Sequence, residues 1–239
     1  VSPEAVSLTR DVLPAVGVNL VLAGLAYQAG GVRRSGVAGG LLVGIPIAVF
    51  LGWRGFLILG AMFLIGSLLT RLGYARKHAL GAAEEEKGAR GMSHALANGG
   101  VAALCALGAW LAPHPLWAVA FTAALATSAM DTAGSELGPL WGRRTVSLRN
   151  FAPVPPGTEG AVSVEGTAAG LGVALVLALL GAGTGFLSLG AVLPVVLAAW
   201  GGNLYEGILG SRRLLPHTWL NATNTLVGAG LAALLSRLL

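Results

Sequence analysis

The sequence predicts an all-α polytopic membrane protein, a bundle of about eight transmembrane helices forming a single integral membrane domain over 1–239. Three observations carry this. Of the 239 residues, 55% are hydrophobic and only 10% charged, where a soluble domain carries about 25% charged residues. The mean hydropathy is +0.76. Glycine supplies 37 residues, roughly twice its usual share of about 7%, and small residues let membrane helices approach closely. So few charges cannot cover a water-exposed surface, which excludes a soluble enzyme. The one cysteine, Cys105, lies in an apolar run, which excludes a disulfide framework and a Cys-based zinc site.

Uncharged gaps between charged residues give the spans in order: 12–32, 35–53, 55–70, 91–130, 166–205 and 214–236. A helix needs about 20 apolar residues to cross the hydrocarbon core. The two longest gaps therefore hold two spans each. The first is expected to break at Pro113-His114-Pro115, the second around Gly181-Ala182-Gly183-Thr184-Gly185. The 55–70 span is short, and Arg54 and Arg71 can snorkel at its ends. The start, Val1-Ser2-Pro3-Glu4, has no initiator Met and no basic stretch before an apolar core, so no cleavable signal is expected there.

With eight spans, 12 of the 15 basic residues fall on one side: Arg33, Arg34, Arg71, Arg76, Lys77, Lys87, Arg90, Arg143, Arg144, Arg149, Arg212 and Arg213. The positive-inside rule makes that side cytoplasmic. The expectation is a multi-pass cell-membrane protein with its site facing the cytoplasm. The two long loops, roughly 71–93 and 131–165, lie on this side, and elaborated loops carry function.

In the first loop, Glu84–Lys87 and Glu86–Arg90 are spaced i,i+3 and i,i+4, which fits helical ion pairs on a wet surface. Its basic residues equally fit anionic membrane lipids or nucleotide phosphates. The second loop begins at Asp131, at the end of an apolar span, and such an acid is a functional-site hypothesis. Glu136 stands five residues on, about 140° around an unbroken helix. Gly134 between them would permit a break that brings the two carboxylates together. Paired carboxylates at a helix end suit Mg²⁺, which is held by one or two carboxylates plus substrate phosphates. Plain helix-end solvation is the other reading. The Pro153–Thr167 stretch combines prolines with glycines and is expected to open a helix near Gly166 and Thr167. Backbone N–H groups at such a start receive phosphate, although a rigid turn fits as well. No Walker A motif is present.

Two polar stripes remain. Asn203, Glu206 and Gly210 lie at i, i+3, i+7; His217, Asn221, Asn224, Thr225 and Gly228 lie at i, i+4, i+7, i+8, i+11. Each shares one helix face, as interhelical glue or as the wall of a polar cavity. Asn98, with His94 four residues before it, fits the same wall.

Several short blocks then resemble one family. They are Lys77 with Gly81-Ala82-Ala83-Glu84, Arg90-Gly91, Ala97-Asn98-Gly99-Gly100, Asp131-Thr132-Ala133-Gly134-Ser135-Glu136-Leu137-Gly138, Val154-Pro155-Pro156-Gly157-Thr158-Glu159-Gly160-Ala161-Val162-Ser163, and Asn221-Ala222-Thr223-Asn224-Thr225. In this order they resemble the integral-membrane family that includes plant phytyl-phosphate kinase and animal transmembrane protein 19. Gly160 to Gly170 is also similar to the Gly-Lys-Ser-x-Glu-Gly-Ser element of CTP-dependent phytol and dolichol kinases, with Ala161 and Val162 where that element has its Lys.

The resemblance implies a kinase that moves a phosphoryl group from a nucleoside triphosphate, CTP or another, to a prenyl monophosphate lipid. Together with the residue readings above, the expected catalytic residues are Asp131, Glu136, Lys77 and Arg90, with Asp131 and Glu136 holding Mg²⁺. The expected nucleotide and phosphate site is Glu84, Lys87, Asn98, Pro156, Gly157, Thr158, Glu159, Gly160, Ser163 and Glu165, and the expected substrate wall is Asn203, Glu206, His217, Asn221 and Asn224. No nucleic-acid partner is expected. The alternative is a secondary transporter of a small anionic or lipid-like solute, for which broken helices with charges at the membrane midplane would speak. A CDP-alcohol-type phosphotransferase would need a dense Asp cluster, whereas only Asp11 and Asp131 are present. A purely structural membrane protein leaves the loop constellation without a role.

Overall fold

The computed structural model describes residues 7–83, 88–158, 160–212 and 214–238. Of the residues named above, Val1, Ser2, Pro3, Glu4, Glu84, Glu86, Lys87, Glu159 and Arg213 lie outside this set. The helices are α1 (Leu13–Gln28), α2 (Arg34–Arg71), α3 (Tyr74–Ala79), α4 (Met92–Leu111), α5 (Leu116–Trp141), α6 (Val164–Gly183), α7 (Val192–Gly210) and α8 (His217–Leu238). A π-helical turn, Leu8–Val12, leads into α1.

α2 has 38 residues, about 57 Å if straight, nearly twice the hydrocarbon thickness. It is folded into a hairpin. At Gly52 the backbone turns to φ 66°, ψ −164°, a conformation that favours glycine. The outer ends of the two arms come back together. The Arg71 guanidinium donates to the carbonyl of Ala29 at 2.6 Å. Arg90 ties both ends: its carbonyl accepts from Arg33 N–H at 3.0 Å, and its guanidinium lies against Gly66 in the second arm. Among the described residues six helices are long and apolar enough to cross a membrane. α2, folded at Gly52, contributes two arms, and α8, with 22 residues, is long enough to span but less apolar than the six. The breaks expected at 113–115 and 181–185 are there too, the second with Gly185 at positive φ.

α5 is the central helix. Every residue from Val119 to Met130 is buried, because α2, α4, α6, α7 and α8 all pack on it. Its sequence permits this: six alanines between Ala118 and Ala129 give a thin helix that neighbours approach closely. The closest approach is at Thr127, where a Cβ on Gly228 would stand 2.0 Å from the Thr127 hydroxyl and one on Gly202 would stand 2.7 Å from the Thr127 methyl. α5 thus emerges at the basic end of the bundle carrying Asp131 and Glu136, surrounded by five other helices.

One element was not read from the sequence. Thr145–Ser147 (β1) pairs antiparallel with Ala161–Ser163 (β2), Thr145 opposite Ser163. This small ribbon holds the 148–160 loop down on the bundle. Leu148 packs on Gly207 of α7, and Gly160, at φ 69°, sits so close to Ser211 that a Cβ would be 2.2 Å from its backbone nitrogen. At the other side of the loop, a Cβ on Gly157 would stand 2.7 Å from that of Ala82. The two long loops therefore touch.

Candidate functional site at the basic end of the bundle

Two clefts open at this end, one on each side of α5, the first mostly polar and the second of mixed lining. The first, about 260 Å³, is lined by Arg33, Arg90, His94, Asp131, Glu136 and Asn221 among others. The second, about 500 Å³, lies between α5, α6, α7 and the proline–glycine loop, and is lined by Pro156, Gly157, Thr158, Gly160, Ser163, Asn203 and Glu206 among others. Asp131, Ser135 and His217 line both. Asp131 therefore stands at the seam. It does so because α5 passes between the two loop systems there, continuing ten residues beyond Asp131 to Trp141.

The expected break at Gly134 is absent: α5 runs unbroken from Leu116 to Trp141. The close approach of α6 is made by Gly166, where a Cβ would stand 3.1 Å from the Gly134 carbonyl; a Cβ on Gly134 itself would meet only an ordinary contact at 3.8 Å. Asp131 and Glu136 consequently keep their helical separation and point in different directions. Glu136 is buried and forms an ion pair with Lys77. This corrects the expectation of two carboxylates converging on one ion.

Lys77 is also placed differently from the expectation of an exposed catalytic cation. It is fully buried. Its Nζ donates to the Leu69 carbonyl at 3.0 Å, the Thr70 carbonyl at 2.8 Å and the Glu136 carboxylate. An ammonium has three donors, and all three are used. Two of the acceptors are last-turn carbonyls of α2, where helix ends leave carbonyls unpaired and favour a cation. Lys77 therefore locks α2 to α5 beneath the cleft, and it lines neither cleft.

Arg90 is in the first cleft, its guanidinium 5.7 Å over the Phe63 ring. Asn98 departs from the nucleotide group. It is buried between α4 and α5, accepting from the Ser128 hydroxyl at 3.0 Å and donating to the His94 carbonyl. It borders an apolar crevice instead of either polar cleft.

In the second cleft the loop residues gather as expected, but the start of α6 does not match. The helix begins at Val164, with Ser163 as its N-cap, and the Ser163 hydroxyl accepts from Gly166 N–H at 3.1 Å. Such a cap contributes about 1 kcal/mol. It takes one of the N–H groups expected to face phosphate. Glu165 accepts from Arg143 N–H at 3.4 Å in the first turn of α6. There a carboxylate suits the helix dipole, and Glu165 lines neither cleft. The open part of the loop, Pro156 to Thr158, remains a cleft wall.

The polar stripes divide between both readings. Asn203 donates to the Thr127 and Ala199 carbonyls, each at 3.1 Å, and Asn224 donates to the Glu206 carboxylate at 2.8 Å. The bonds to Thr127 and to Glu206 cross between helices; the one to Ala199 stays within α7. Asn203 and Glu206 nevertheless also line the second cleft, and His217 and Asn221 line the first. Asn224 is buried behind them and lines neither.

Arg33, His94, Thr132 and Ser135 line the clefts without having been singled out as site residues. The only sequence signal for Arg33 was a charge at a membrane boundary, which was used for topology. The signal for His94 was its i,i+4 spacing from Asn98.

Fold and site together define the class: a polytopic helical membrane protein with a two-part polar site at its basic end, built around one central helix. The chain belongs to the integral membrane protein family DUF92, whose profile matches residues 17–213. It is 41% identical over 199 residues to an uncharacterized membrane protein of Synechocystis, sll0875, covering 80% of this chain and 77% of that one. It is 34% identical over 224 residues to the protein VTE6, chloroplastic, of Arabidopsis thaliana, covering 88% and 67%. It is 28% identical over 210 residues to the uncharacterized membrane protein MJ0933 of Methanocaldococcus jannaschii, covering 84% of each. No solved structure matches.

Proposed function

We propose that this protein is a nucleotide-dependent prenyl-phosphate kinase that converts a polyprenyl or phytyl monophosphate to the diphosphate. The observation that carries the reading is Asp131 at the seam of two clefts, one basic and one walled by a proline–glycine loop. A two-substrate phosphoryl transfer needs that arrangement: two anions brought together over a shared charge-neutralising point. Membership of DUF92, the likeness to the chloroplast protein VTE6 and the sequence blocks resembling phytyl-phosphate kinase support it.

The acceptor is a phosphate monoester with a second pKa of about 6, so near neutral pH it is largely a dianion and needs no general base. Its oxygen attacks the γ-phosphorus of the nucleotide, the bond from that phosphorus to the β,γ-bridging oxygen breaks, and the nucleoside diphosphate leaves. Arg33 and Arg90 hold the acceptor phosphate in the first cleft, where their charge offsets that of two polyanions. Pro156, Gly157 and Thr158 bound the nucleotide phosphates in the second.

Among the described residues no group of three or more His, Cys, Asp or Glu comes together as a metal cage. Mg²⁺ does not require one, since one or two carboxylates plus phosphate oxygens suffice. Asp131 fits that role, while the Glu136 carboxylate is neutralised by Lys77. Bound there, Mg²⁺ would offset charge on the transferring phosphate. The transporter alternative lacks support: the break in α2 is at its membrane-end turn, and Arg54 beside it donates to the Gly185 carbonyl of the α6–α7 loop.

The test is labelled γ-phosphate transfer by purified protein in detergent, from CTP, ATP, GTP and UTP in turn, to phytyl or geranylgeranyl phosphate. Labelled lipid diphosphate with at least one nucleotide is expected. Failure with all four contradicts the proposal.

The basic end is taken to face the cytoplasm, by the positive-inside rule. A cysteine at Asn150, exposed in the second long loop, should react with an impermeant maleimide only after cells are permeabilised. Native Cys105 is buried and gives little background. Labelling of Asn150→Cys on intact cells would reverse the orientation.

A further inference from the structure

A third cavity, about 160 Å³, lies between α1, the two arms of α2, and α4. Its wall is apolar and small: Leu22 and Ala26 of α1, Gly40, Gly60 and Phe63 of α2, and Gly99 of α4 are representative. It is open on the bilayer side: Gly60 is exposed and Gly40 half-buried, and a Cβ at either would meet nothing within 4 Å. Along α1 it extends from Ala26 to Asn19, two turns and about 10 Å into the bilayer.

One end of this crevice is charged. Arg90 and His94 line it and also line the first polar cleft. The Arg90 guanidinium is packed over Phe63 and against Gly66, which fixes it at the mouth. The outer wall is α1, which packs chiefly on α2 and whose Val18, Leu20, Val21, Leu22 and Leu25 are exposed to the bilayer. A helix about 10 Å across does not fit this volume, but a single hydrocarbon chain does.

Resting on the kinase reading of the polar clefts, we propose that this crevice seats the phosphate-proximal isoprenoid units of the acceptor, entering sideways from the bilayer past α1. Its phosphate then lies at Arg90, one cleft away from the nucleotide and across Asp131 from it. The lipid chain gains little from leaving one apolar medium for another. The crevice therefore contributes position and selects chain shape.

Filling the crevice tests this. Gly60→Leu and Gly40→Leu place a side chain into open space; Gly172→Leu in α6, where a Cβ also meets nothing within 4 Å and no cavity is lined, is the matched control. KM for phytyl or geranylgeranyl phosphate should rise by about tenfold or more in the two crevice variants, the scale of a steric mismatch in an apolar pocket. The nucleotide KM should hold, and the control should match the wild type. Unchanged lipid KM in both crevice variants overturns the proposal.

A second readout needs neither transfer nor folded variants. A photoreactive prenyl phosphate with its diazirine in the first isoprene unit should label wild-type α1, α2 or α4, and unlabelled phytyl phosphate should displace it better than phytol or phosphatidylglycerol. Transfer activity with the label mapped elsewhere, or displaced equally by phosphatidylglycerol, sinks the crevice and leaves the kinase standing. Specific labelling here with no transfer from any nucleotide upholds the crevice and sinks the kinase.

Discussion

Asp131→Asn is expected to lower phosphate transfer by at least about 100-fold, the scale of losing one electrostatic contact to charge developing in the transition state. The change keeps size and hydrogen bonding. Asp131 is partly exposed at the seam of the two clefts, so the variant should still insert and purify. Because the proposal gives this carboxylate to Mg²⁺, the metal dependence should shift too, with Mn²⁺ restoring part of the rate. The bland reading, a solvated acid at a helix end, expects near-normal activity. A well-folded Asp131→Asn that transfers at the wild-type rate removes Asp131 as a metal ligand and moves the site away from this helix end.

The second large effect is on stability. Lys77→Met removes the cation from a buried pair and leaves Glu136, which is 3% exposed, without its counter-charge. Breaking one side of such a pair costs about 3–5 kcal/mol, and the Leu69 and Thr70 carbonyls lose the ammonium as well, Leu69 keeping the Leu72 N–H. For a chain of this size that corresponds to a fall of roughly 6–20 °C in Tm, read by thermal unfolding in detergent. The double variant Lys77→Met with Glu136→Met should recover much of the loss, since replacing both charges with apolar groups is often near neutral. A Lys77→Met protein as stable as the wild type would mean the pair does not hold α2 to α5.

The different roles of these two residues explain what the sequence could and could not reveal. Spans were legible because hydrocarbon thickness and charge cost act on composition alone; even the α2 hairpin showed, as Arg54 between two apolar runs. Asp131 was legible for the same reason, as an acid at the end of an apolar helix. Lys77 was not. In sequence it is one of several cations in a loop, and only the three-dimensional path of α3 under the last turn of α2 turns it inward. Gly134 misled in a similar way. A glycine between two acids reads as a hinge, yet it sits inside an unbroken helix, where a Cβ would meet only an ordinary 3.8 Å contact with Gly166. Asn203 and Asn224 carried both the structural and the functional signal, and their bonds across helices show that one stripe can be glue at depth and cleft wall at the end. The β1–β2 ribbon, three residues per strand, is too short to leave an alternation that could be read.

The central claim is that the acceptor is already a phosphate. It is tested most directly by giving purified protein, with whichever nucleotide it uses, equal concentrations of phytyl phosphate and phytol, or of geranylgeranyl phosphate and geranylgeraniol, and identifying the products by mass. The account predicts prenyl diphosphate from the monophosphate and little product from the alcohol, because no residue in the first cleft is assigned as a base for a hydroxyl. Equal or faster conversion of the alcohol to the monophosphate would contradict it.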